Sequence, residues 1–211
     1  MSVVEFNTHI GIAAPMLQKN IDTDAIIPSR EMQRVSKKGL GQGLFAARRY
    51  FDRGEETERD NPEFVLNQPQ YSGATILLTG ANMGCGSSRE FAVWALVDFG
   101  IRVIIAPSFG SIFHTNCVRN GLLPVVLSET TISDLAEQVQ TNPQQRQLRI
   151  DLLTKVVVDP AGCEHSFEIE SLHRHMLMEG LDAVDITMES LADIDAFEMS
   201  IRSARPWMHL I

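Results

Sequence analysis

The chain has 211 residues, of which 44% are hydrophobic and 21% charged, and it carries a net charge of −9. This composition is ordinary for a globular protein, and we expect a single domain over residues 1–211. The net acidity, with no basic run or basic amphipathic face to offset it, argues against nucleic acid and membrane surfaces as partners. Because no apolar stretch reaches the length of a membrane span and residues 1–20 lack the pattern of a signal peptide, we expect a cytoplasmic protein.

The first part of the chain predicts short strands, a turn and a loop. Apolar residues between positions 3 and 16 indicate one or two strands. Asp22 and Asp24 then precede a short apolar run that Pro28 ends, and aspartate at such places favours turn formation. Residues 29–43 are basic and rich in glycine, which is typical either of a mobile loop that closes over a ligand or of a solvated surface loop. Residues 45–71 indicate a surface connection with a short helix near residues 64–66.

Strand-like and helix-like segments alternate between residues 74 and 127. Alternation of this kind indicates parallel strands joined by helices, with ligand sites at the carboxyl ends of the strands. We therefore expect the turn after the first strand and residues 107–110, after the second, to lie at the same edge. The strands are predicted at 74–79, 102–106 and 122–127, and the helices at 91–99 and 111–120, the second ended by Gly121.

The last third predicts a helix, three strands and two more helices. His114, in the preceding helix, is interpreted as a packed residue, and Thr115 and Asn116 as structural. His173 and His175 are two positions apart, so they do not share a helix face and make a poor metal pair. The helices are predicted at 133–141, 172–178 and 188–202, and the strands at 148–152, 156–159 and 166–170, with a hairpin turn at 160–162.

The turn from Gly80 to Phe91 is the strongest candidate for a site. Its three glycines allow positive φ and the close approach of a ligand, and Ser87 and Ser88 are of the residue type that caps a helix. Unpaired amides at a helix start, together with the planar guanidinium of Arg89, fit a carboxylate. A tight turn explains the glycines alone, but two hydroxyls followed by an arginine and a glutamate exceed what a turn needs.

Motifs of other anion sites do not fit this turn. It lacks the Gly-Lys-Ser/Thr ending of a P-loop, and its glycines do not have the spacing of a dinucleotide site. A serine hydrolase requires glycine two residues after the nucleophile, where Arg89 or Glu90 stands. The residues predict a site for a small anion without a convincing general base. Either the chain only binds the anion or another component completes the chemistry.

The three cysteines do not indicate a metal site or a disulfide. Cys85, Cys117 and Cys163 are odd in number and include no Cys-x-x-Cys pair, so we expect free thiols. Their spacing suits neither zinc nor an iron–sulfur cluster held by this chain alone. Cys85, near a predicted helix start, is either a reactive thiol or a small packing residue.

Several segments, in the same order along the chain, resemble the swivelling carboxy-terminal domain of the aconitase superfamily. They are Gly86–Glu90, Ser108–Phe109, Thr115–Asn116 and Gly121–Pro124. The overall length and the run Asn-Ile-Asp-Thr-Asp-Ala-Ile-Ile-Pro at residues 20–28 narrow the resemblance to the bacterial small subunits of 3-isopropylmalate dehydratase. The resemblance covers nearly the whole chain. It implies an α/β fold, a swivelling β/β/α domain with a largely parallel sheet flanked by helices.

The resemblance also implies roles for residues of the glycine-rich turn. Ser87 would take a proton from carbon as an alkoxide, while Ser88 and Arg89 would bind carboxylate oxygens. Arg89 would also help to stabilise negative charge, with support from the loop amides of Gly84, Cys85 and Gly86.

Two other segments gain roles by the resemblance. Asp24 falls at the rim of the active site. The loop at residues 29–43 would distinguish substrates, so Arg30 and Arg34 are candidates for substrate contact, and the sequence does not decide between them.

The reaction implied by the resemblance is dehydration of 2-isopropylmalate to an alkene and rehydration to 3-isopropylmalate, in leucine biosynthesis. A large subunit would carry a 4Fe–4S cluster as Lewis acid, and this chain would bind no cofactor or metal. Two alternatives stay open. One is the small subunit of a sibling hydro-lyase, such as homoaconitase or a methylmalate dehydratase, and the other is a dicarboxylate-binding module without catalysis.

Overall fold

The computed structural model describes residues 4–32, 36–87, 89–205 and 207. Its strands are, in chain order, β1 (Thr8–Gly11), β2 (Ala13–Met16), β3 (Tyr50–Phe51), β4 (Arg59–Asp60), β5 (Ile76–Thr79), β6 (Val103–Ala106), β7 (Leu123–Val126), β8 (Leu148–Asp151), β9 (Val156–Val158) and β10 (Glu164–Ser166). Its α-helices are α1 (Thr23–Ile26), α2 (Ala46–Arg49), α3 (Glu90–Phe99), α4 (Ser111–Arg119), α5 (Glu129–Gln140), α6 (Ser171–Glu179), α7 (Ala183–Glu189) and α8 (Leu191–Ala204). Short 3₁₀ helices occupy Ser29–Met32, Leu40–Gly43, Val65–Asn67 and Pro69–Tyr71.

A parallel sheet with the strand order β2-β5-β6-β7 forms the centre of the molecule. Every residue of β5 and β6 is buried, because both faces of this sheet are covered. Continuous apolar runs are the sequence pattern of such strands. The three strands predicted between residues 74 and 127 are confirmed, with slightly shorter bounds.

The two faces of the parallel sheet support two hydrophobic cores. Along β5, Leu77 belongs to one core, while Ile76 and Leu78 belong to the other, as the alternation of side chains in a strand requires. The first core packs the sheet against α3, α4 and the segment 21–45. The second packs it against α5, α6 and an antiparallel sheet of order β1-β8-β9-β10. This is the layered α/β arrangement, with a largely parallel sheet flanked by helices, that the resemblance implies.

Local capping explains where the structure departs from the predicted elements. Helix α5 begins four residues before the predicted start, since the Ser128 hydroxyl accepts a hydrogen bond from the Thr131 amide at 3.1 Å. The helix predicted at 188–202 is confirmed as α8, which starts only after Ser190, but the separate helix α7 before it was not predicted and begins at a capping box formed by Asp182 and Asp185.

The predicted strand at 166–170 is also misplaced. The Asp159 carboxylate accepts the amides of Ala161 and Cys163, both at 2.9 Å, and this closes the hairpin turn early. Strand β10 therefore already pairs with β9 at Glu164. No α-helix among the described residues is long and apolar enough to cross a membrane.

Candidate active site

The glycine-rich turn, defined here as residues 80–89, connects β5 to α3 at the carboxyl edge of the parallel sheet. Its neighbours at this edge are residues 17–23, which follow β2, and residues 107–110, which follow β6. The prediction that residues 107–110 lie at the same edge is confirmed: Met83 forms a parallel bridge with Phe109.

The first half of the turn continues the strand pairing of the sheet. On one side, the Met83 amide donates to the Ser108 carbonyl at 3.0 Å and the Gly110 amide donates to the Met83 carbonyl at 2.9 Å. On the other side, the Gly84 amide donates to the Ile21 carbonyl at 2.7 Å. Both Met83 and Gly84 are buried. This half is therefore hydrogen-bonded to both of its neighbouring segments, the one after β2 and the one after β6.

Gly84 has no space for a side chain. Its φ is +73°, and a Cβ built there would lie closer than 3.0 Å to three side-chain carbons of the buried Phe113 on α4. The ring of Phe113 therefore packs directly against the turn backbone. Because the Gly84 amide is already hydrogen-bonded to Ile21, the prediction that it serves an anion is wrong. Cys85 pairs with Asp22 in a parallel bridge, and the anion-binding role of the Cys85 and Gly86 amides stays a prediction.

The second half of the turn is exposed. Gly86, Ser87 and Arg89 all face solvent. The Ser87 hydroxyl makes no hydrogen bond to a described residue, while its carbonyl accepts a hydrogen bond from the Thr23 hydroxyl at 3.0 Å. Ser88 lies outside the described residues. Ser87 and Arg89 are thus both exposed, and their roles in a site stay a prediction.

Helix α3 begins with Arg89 at the N-cap, and no side chain of the described residues caps it. The expectation that a serine caps this helix is therefore wrong for Ser87, which stands too early in the turn. The guanidinium of Arg89 donates from Nη1 to the Ser29 hydroxyl at 3.2 Å. An uncapped helix start beside an exposed guanidinium is a favourable place for a carboxylate.

Residues 22–24 form the start of α1, next to the glycine-rich turn. Asp22 is the N-cap of α1, and its carboxylate accepts the Ala25 amide at 2.6 Å, so the turn-forming interpretation is correct for this residue. Asp24, in the first turn of α1, is exposed. Its position near the rim is compatible with the predicted role, which stays a prediction.

Both ends of the loop predicted at residues 29–43 form 3₁₀ helices, so less of it is irregular than expected. Leu40, Gly41 and Gly43 are buried, and the Gly41 amide donates to Asp98 on α3 at 2.8 Å, so the prediction of a mobile or solvated loop is wrong for this part. At the other end, Glu31 accepts two hydrogen bonds from Arg53, each at 3.1 Å. This bidentate pair anchors the 3₁₀ helix at Ser29–Met32 and raises the pKa of Arg53.

The two arginines predicted as candidates for substrate contact have different outcomes. Arg30 is exposed, and its Nε lies 3.7 Å from Glu31. It directly follows Ser29, whose hydroxyl contacts the Arg89 guanidinium, and its role in substrate contact stays a prediction. Arg34 lies outside the described residues.

Two of the residues that contact the turn were not singled out by the sequence. Thr23 contacts Ser87 and Ser29 contacts Arg89, and the members of these pairs are 64 and 60 positions apart in the chain. Their residue types are common in any turn, so no local pattern marks them. Only the pairing of the segments after β2 and β5 brings them to the site.

The histidine and cysteine residues considered in the sequence analysis do not add to the site. His114 is half-buried on α4 beside Phe109 and His173, and burial, followed by the charge of His173, lowers its pKa. This agrees with its interpretation as a packed residue. Cys117 is fully buried, and burial raises the pKa of its thiol, which makes it unreactive. Cys85, Cys117 and Cys163 are all free.

The exposed half of the turn does not lie in a closed pocket. A cavity of about 610 Å³ lies against the outer side of α3, with Trp94 and Val97 in its wall, but Ser87 and Arg89 do not line it. A second cavity of about 570 Å³ lies near β7 and His165. Because Gly86, Ser87 and Arg89 are themselves exposed, this half of the turn forms an open surface.

Comparisons with known proteins agree with this geometry. Residues 3–130 match the family described as Aconitase C-terminal domain. The chain is 57% identical to a 3-isopropylmalate dehydratase small subunit of Cupriavidus necator, over 97% of each chain, and 46% identical to that of Marinobacter nauticus, over 96% of each. A crystal structure of 3-isopropylmalate dehydratase from Methanocaldococcus jannaschii superposes with a TM-score of 0.65 at 26% identity, covering 90% of this chain and 99% of that one. The chain therefore belongs to the family of 3-isopropylmalate dehydratase small subunits, within the proteins that share the aconitase carboxy-terminal domain.

Proposed function

We propose that this chain is the small subunit of a hydro-lyase that isomerises 2-isopropylmalate to 3-isopropylmalate. The observation that carries the proposal is the exposed pair Ser87 and Arg89, which lies at the end of a turn whose first half is hydrogen-bonded to the segments after β2 and β6. Such a surface binds an anionic substrate and leaves space for a second component of the active site. The names and the near full-length coverage of the relatives favour this reaction, part of leucine biosynthesis, over that of a sibling hydro-lyase.

Ser87 is the proposed base of the reaction. As an alkoxide it takes the proton from the carbon next to the hydroxyl-bearing carbon, the hydroxyl leaves, and an alkene forms. Return of the proton and of hydroxide to the opposite carbons gives the isomer. Because a serine hydroxyl is a weak acid, this role requires stabilisation of the alkoxide by the amides of Cys85 and Gly86, the start of α3 and Arg89. Each such preorganised donor is worth about 3 kcal/mol in a site that excludes water.

Arg89 is the proposed ligand of a substrate carboxylate. Its guanidinium matches the two carboxylate oxygens in a planar, bidentate arrangement, and its present partner, the neutral Ser29 hydroxyl, is easily replaced. Ser88 is proposed to share this carboxylate. Asp24 and one of Arg30 and Arg34 are proposed to complete the rim toward the substrate side chain.

A large subunit is the proposed partner, since the relatives are named small subunits. The residues of this chain do not fit a 4Fe–4S cluster. No group of three His, Cys, Asp or Glu side chains that could hold a metal is found in the part of the chain that the structure describes, and Cys117 is buried while Cys163 is exposed. We assign the cluster to the large subunit, where it would act as Lewis acid on the substrate hydroxyl and carboxylate. We also propose a cytoplasmic location, in keeping with free cysteines.

The first experiment measures formation of the alkene from 2-isopropylmalate by this chain alone and by this chain mixed with a cluster-loaded large subunit. Activity in the mixture alone supports a divided active site. Turnover of a homologous substrate but not of 2-isopropylmalate would instead favour a sibling hydro-lyase. Tight binding of a dicarboxylate by the isolated chain, with no turnover in any mixture, would favour a binding module.

The second experiment tests Ser87. We expect Ser87→Ala to lower turnover by about 10²–10⁴-fold, the range typical of a lost proton-transfer group, while the affinity for the large subunit is retained. Ser72→Ala is a matched control, because Ser72 is also exposed but precedes β5 at the opposite edge of the sheet. Near-normal turnover of Ser87→Ala would remove this serine from the mechanism.

A further inference from the structure

Thr23 is one of the few buried polar residues in the described chain. It is 4% exposed, while its neighbours Asp22 and Asp24 face solvent. A valine has nearly the same shape, so packing alone does not require a hydroxyl here. The hydroxyl has one partner among the described residues, the carbonyl of Ser87, to which it donates at 3.0 Å.

This hydrogen bond extends a parallel pairing of two segments beyond the point where their backbones can pair. The segments 21–23 and 84–85 pair in parallel: the Gly84 amide donates to Ile21 at 2.7 Å and the Thr23 amide donates to Cys85 at 3.3 Å. The next donor in such a ladder would be the Ala25 amide, and its acceptor would be the Ser87 carbonyl. The chain turns into α1 at this point, however, and Ala25 instead donates to the Asp22 carboxylate at 2.6 Å.

The turn into α1 also engages the Thr23 carbonyl, which would be the next acceptor of a longer parallel pairing. The Thr23 carbonyl accepts the Ile27 amide at 2.9 Å, as the end of α1 requires. The Thr23 hydroxyl therefore supplies the missing donor. Backbone hydrogen bonds between residues 21–23 and the turn end at Cys85. The Thr23 side chain extends this contact by two residues, to Ser87.

The consequence concerns the orientation of Ser87. Gly86, just before it, has φ of +83°, a conformation that glycine adopts far more readily than other residues, and a Cβ added to it would meet no heavy atom closer than 3.7 Å. With its carbonyl held toward Thr23, the Ser87 peptide is fixed and its side chain points to the open surface. The hydroxyl of Thr23 thus sets the direction of the Ser87 side chain without touching the substrate.

We propose that Thr23 is a positioning residue for Ser87. The inference rests on the proposed function, in which Ser87 is the base. It predicts that loss of the Thr23 hydroxyl affects the chemical step more than substrate binding, because the carboxylate is bound by Arg89 and not by Ser87.

The test compares Thr23→Val, which keeps the shape, with Thr23→Ser, which keeps the hydroxyl, each mixed with the large subunit. We expect Thr23→Val to lower kcat by about 100-fold, the effect of a misplacement of about 1 Å, with little change in KM. Thr23→Ser should restore most of the loss. Thermal unfolding and affinity for the large subunit show whether each variant is folded, and Thr23→Ala replaces Thr23→Val in the comparison if the valine variant does not fold.

The double variant Thr23→Val/Ser87→Ala separates positioning from a general structural role. If Thr23 acts through Ser87, the double variant is no slower than Ser87→Ala alone, whereas a separate structural role would add its own loss. Wild-type kcat in Thr23→Val, no rescue by Thr23→Ser, or additive losses would each overturn the inference while the proposed function stands. A wild-type mixture without turnover, or an active Ser87→Ala, would overturn the proposed function or the role of Ser87, and the inference with it.

Discussion

Two turns of this protein use glycine and buried polar groups in opposite ways. In the hairpin turn at residues 159–163, the buried Asp159 carboxylate accepts the amides of Ala161 and Cys163 and the side-chain amide of Gln138, at 2.9, 2.9 and 3.0 Å. In the glycine-rich turn at residues 80–89, the Thr23 hydroxyl holds the Ser87 carbonyl, but backbone pairing with the neighbouring segments ends at Cys85. Beyond it, Gly86, Ser87 and Arg89 face solvent.

The hairpin turn stabilises the fold, whereas the glycine-rich turn also presents polar groups to a ligand. In the hairpin turn, the buried Asp159 carboxylate is hydrogen-bonded by the turn itself and by Gln138 on α5, which is the usual state of buried polar groups. The glycine-rich turn uses only its first half for the fold and leaves amides, a hydroxyl and a guanidinium for an outside ligand. Changes in the hairpin turn or in the first half should therefore act on stability, and changes in the second half on turnover.

The largest expected effect is that of Gly84→Ala, in the first half of the glycine-rich turn. Its Cβ would collide with the fully buried Phe113, which costs about 1–3 kcal/mol, and alanine at this positive φ adds about 1–2 kcal/mol. We expect the free energy of unfolding, measured with urea, to fall by about 3 kcal/mol. Combination with Phe113→Leu, which trims the opposing ring, should cost less than the sum of the two single changes. A fully stable Gly84→Ala would contradict the close packing of this half.

A smaller effect is expected from Asp159→Asn in the hairpin turn. Although burial acts to raise the pKa of Asp159, hydrogen bonds from Gln138, Cys163, His165 and Ala161 together lower it below the ordinary value of 3.8. A carboxyl group with a lowered pKa in the folded state stabilises the protein above its unfolded pKa, and this contribution is lost as the pH falls through the folded value. At pH 7 we expect the variant to lose about 2 kcal/mol, since hydrogen bonds to a charged group become neutral ones.

The pH dependence of Asp159→Asn checks this cause. The difference in the free energy of unfolding between wild type and variant should be constant near neutral pH and shrink as the pH falls below 3.8. Turnover per folded molecule should be unchanged at pH 7. If the difference in the free energy of unfolding stayed the same at low pH, the charge of Asp159 would not be what stabilises the turn.

The parallel sheet and the location of the site could be predicted from the sequence, because both depend on local patterns. The apolar run that forms β5 and the cluster of glycine, serine and arginine after it are visible within a short stretch, residues 76–91. The expectation of a single domain over residues 1–211 stays a prediction. What local patterns do not show is which polar groups the fold itself uses.

The errors share a physical cause. The amide of Gly84 was expected to bind an anion, but it is hydrogen-bonded to Ile21, and residues 40–43 were expected in a loop, but they pack on α3. Thr23 and Ser29 were not singled out, although both contact the turn. In each case the deciding contact joins segments that are far apart in the chain, so neither residue type nor spacing reveals it.

The smallest expected effect on stability, and the sharpest test of the comparison, comes from two matched glycines. Gly86 and Gly162 have φ of +83° and +90°, and both have space for a Cβ: nothing lies within 4 Å at Gly162, and only Asp22, at 3.7 Å, lies near Gly86. Alanine at either position should cost about 1 kcal/mol from the left-handed backbone alone. Only Gly86→Ala should also lower turnover, because Gly86 directly precedes Ser87, the proposed base, whereas Gly162→Ala should leave turnover unchanged. Equal turnover of the two variants, measured with the large subunit, would mean that the exposed half of the glycine-rich turn is as structural as the hairpin turn.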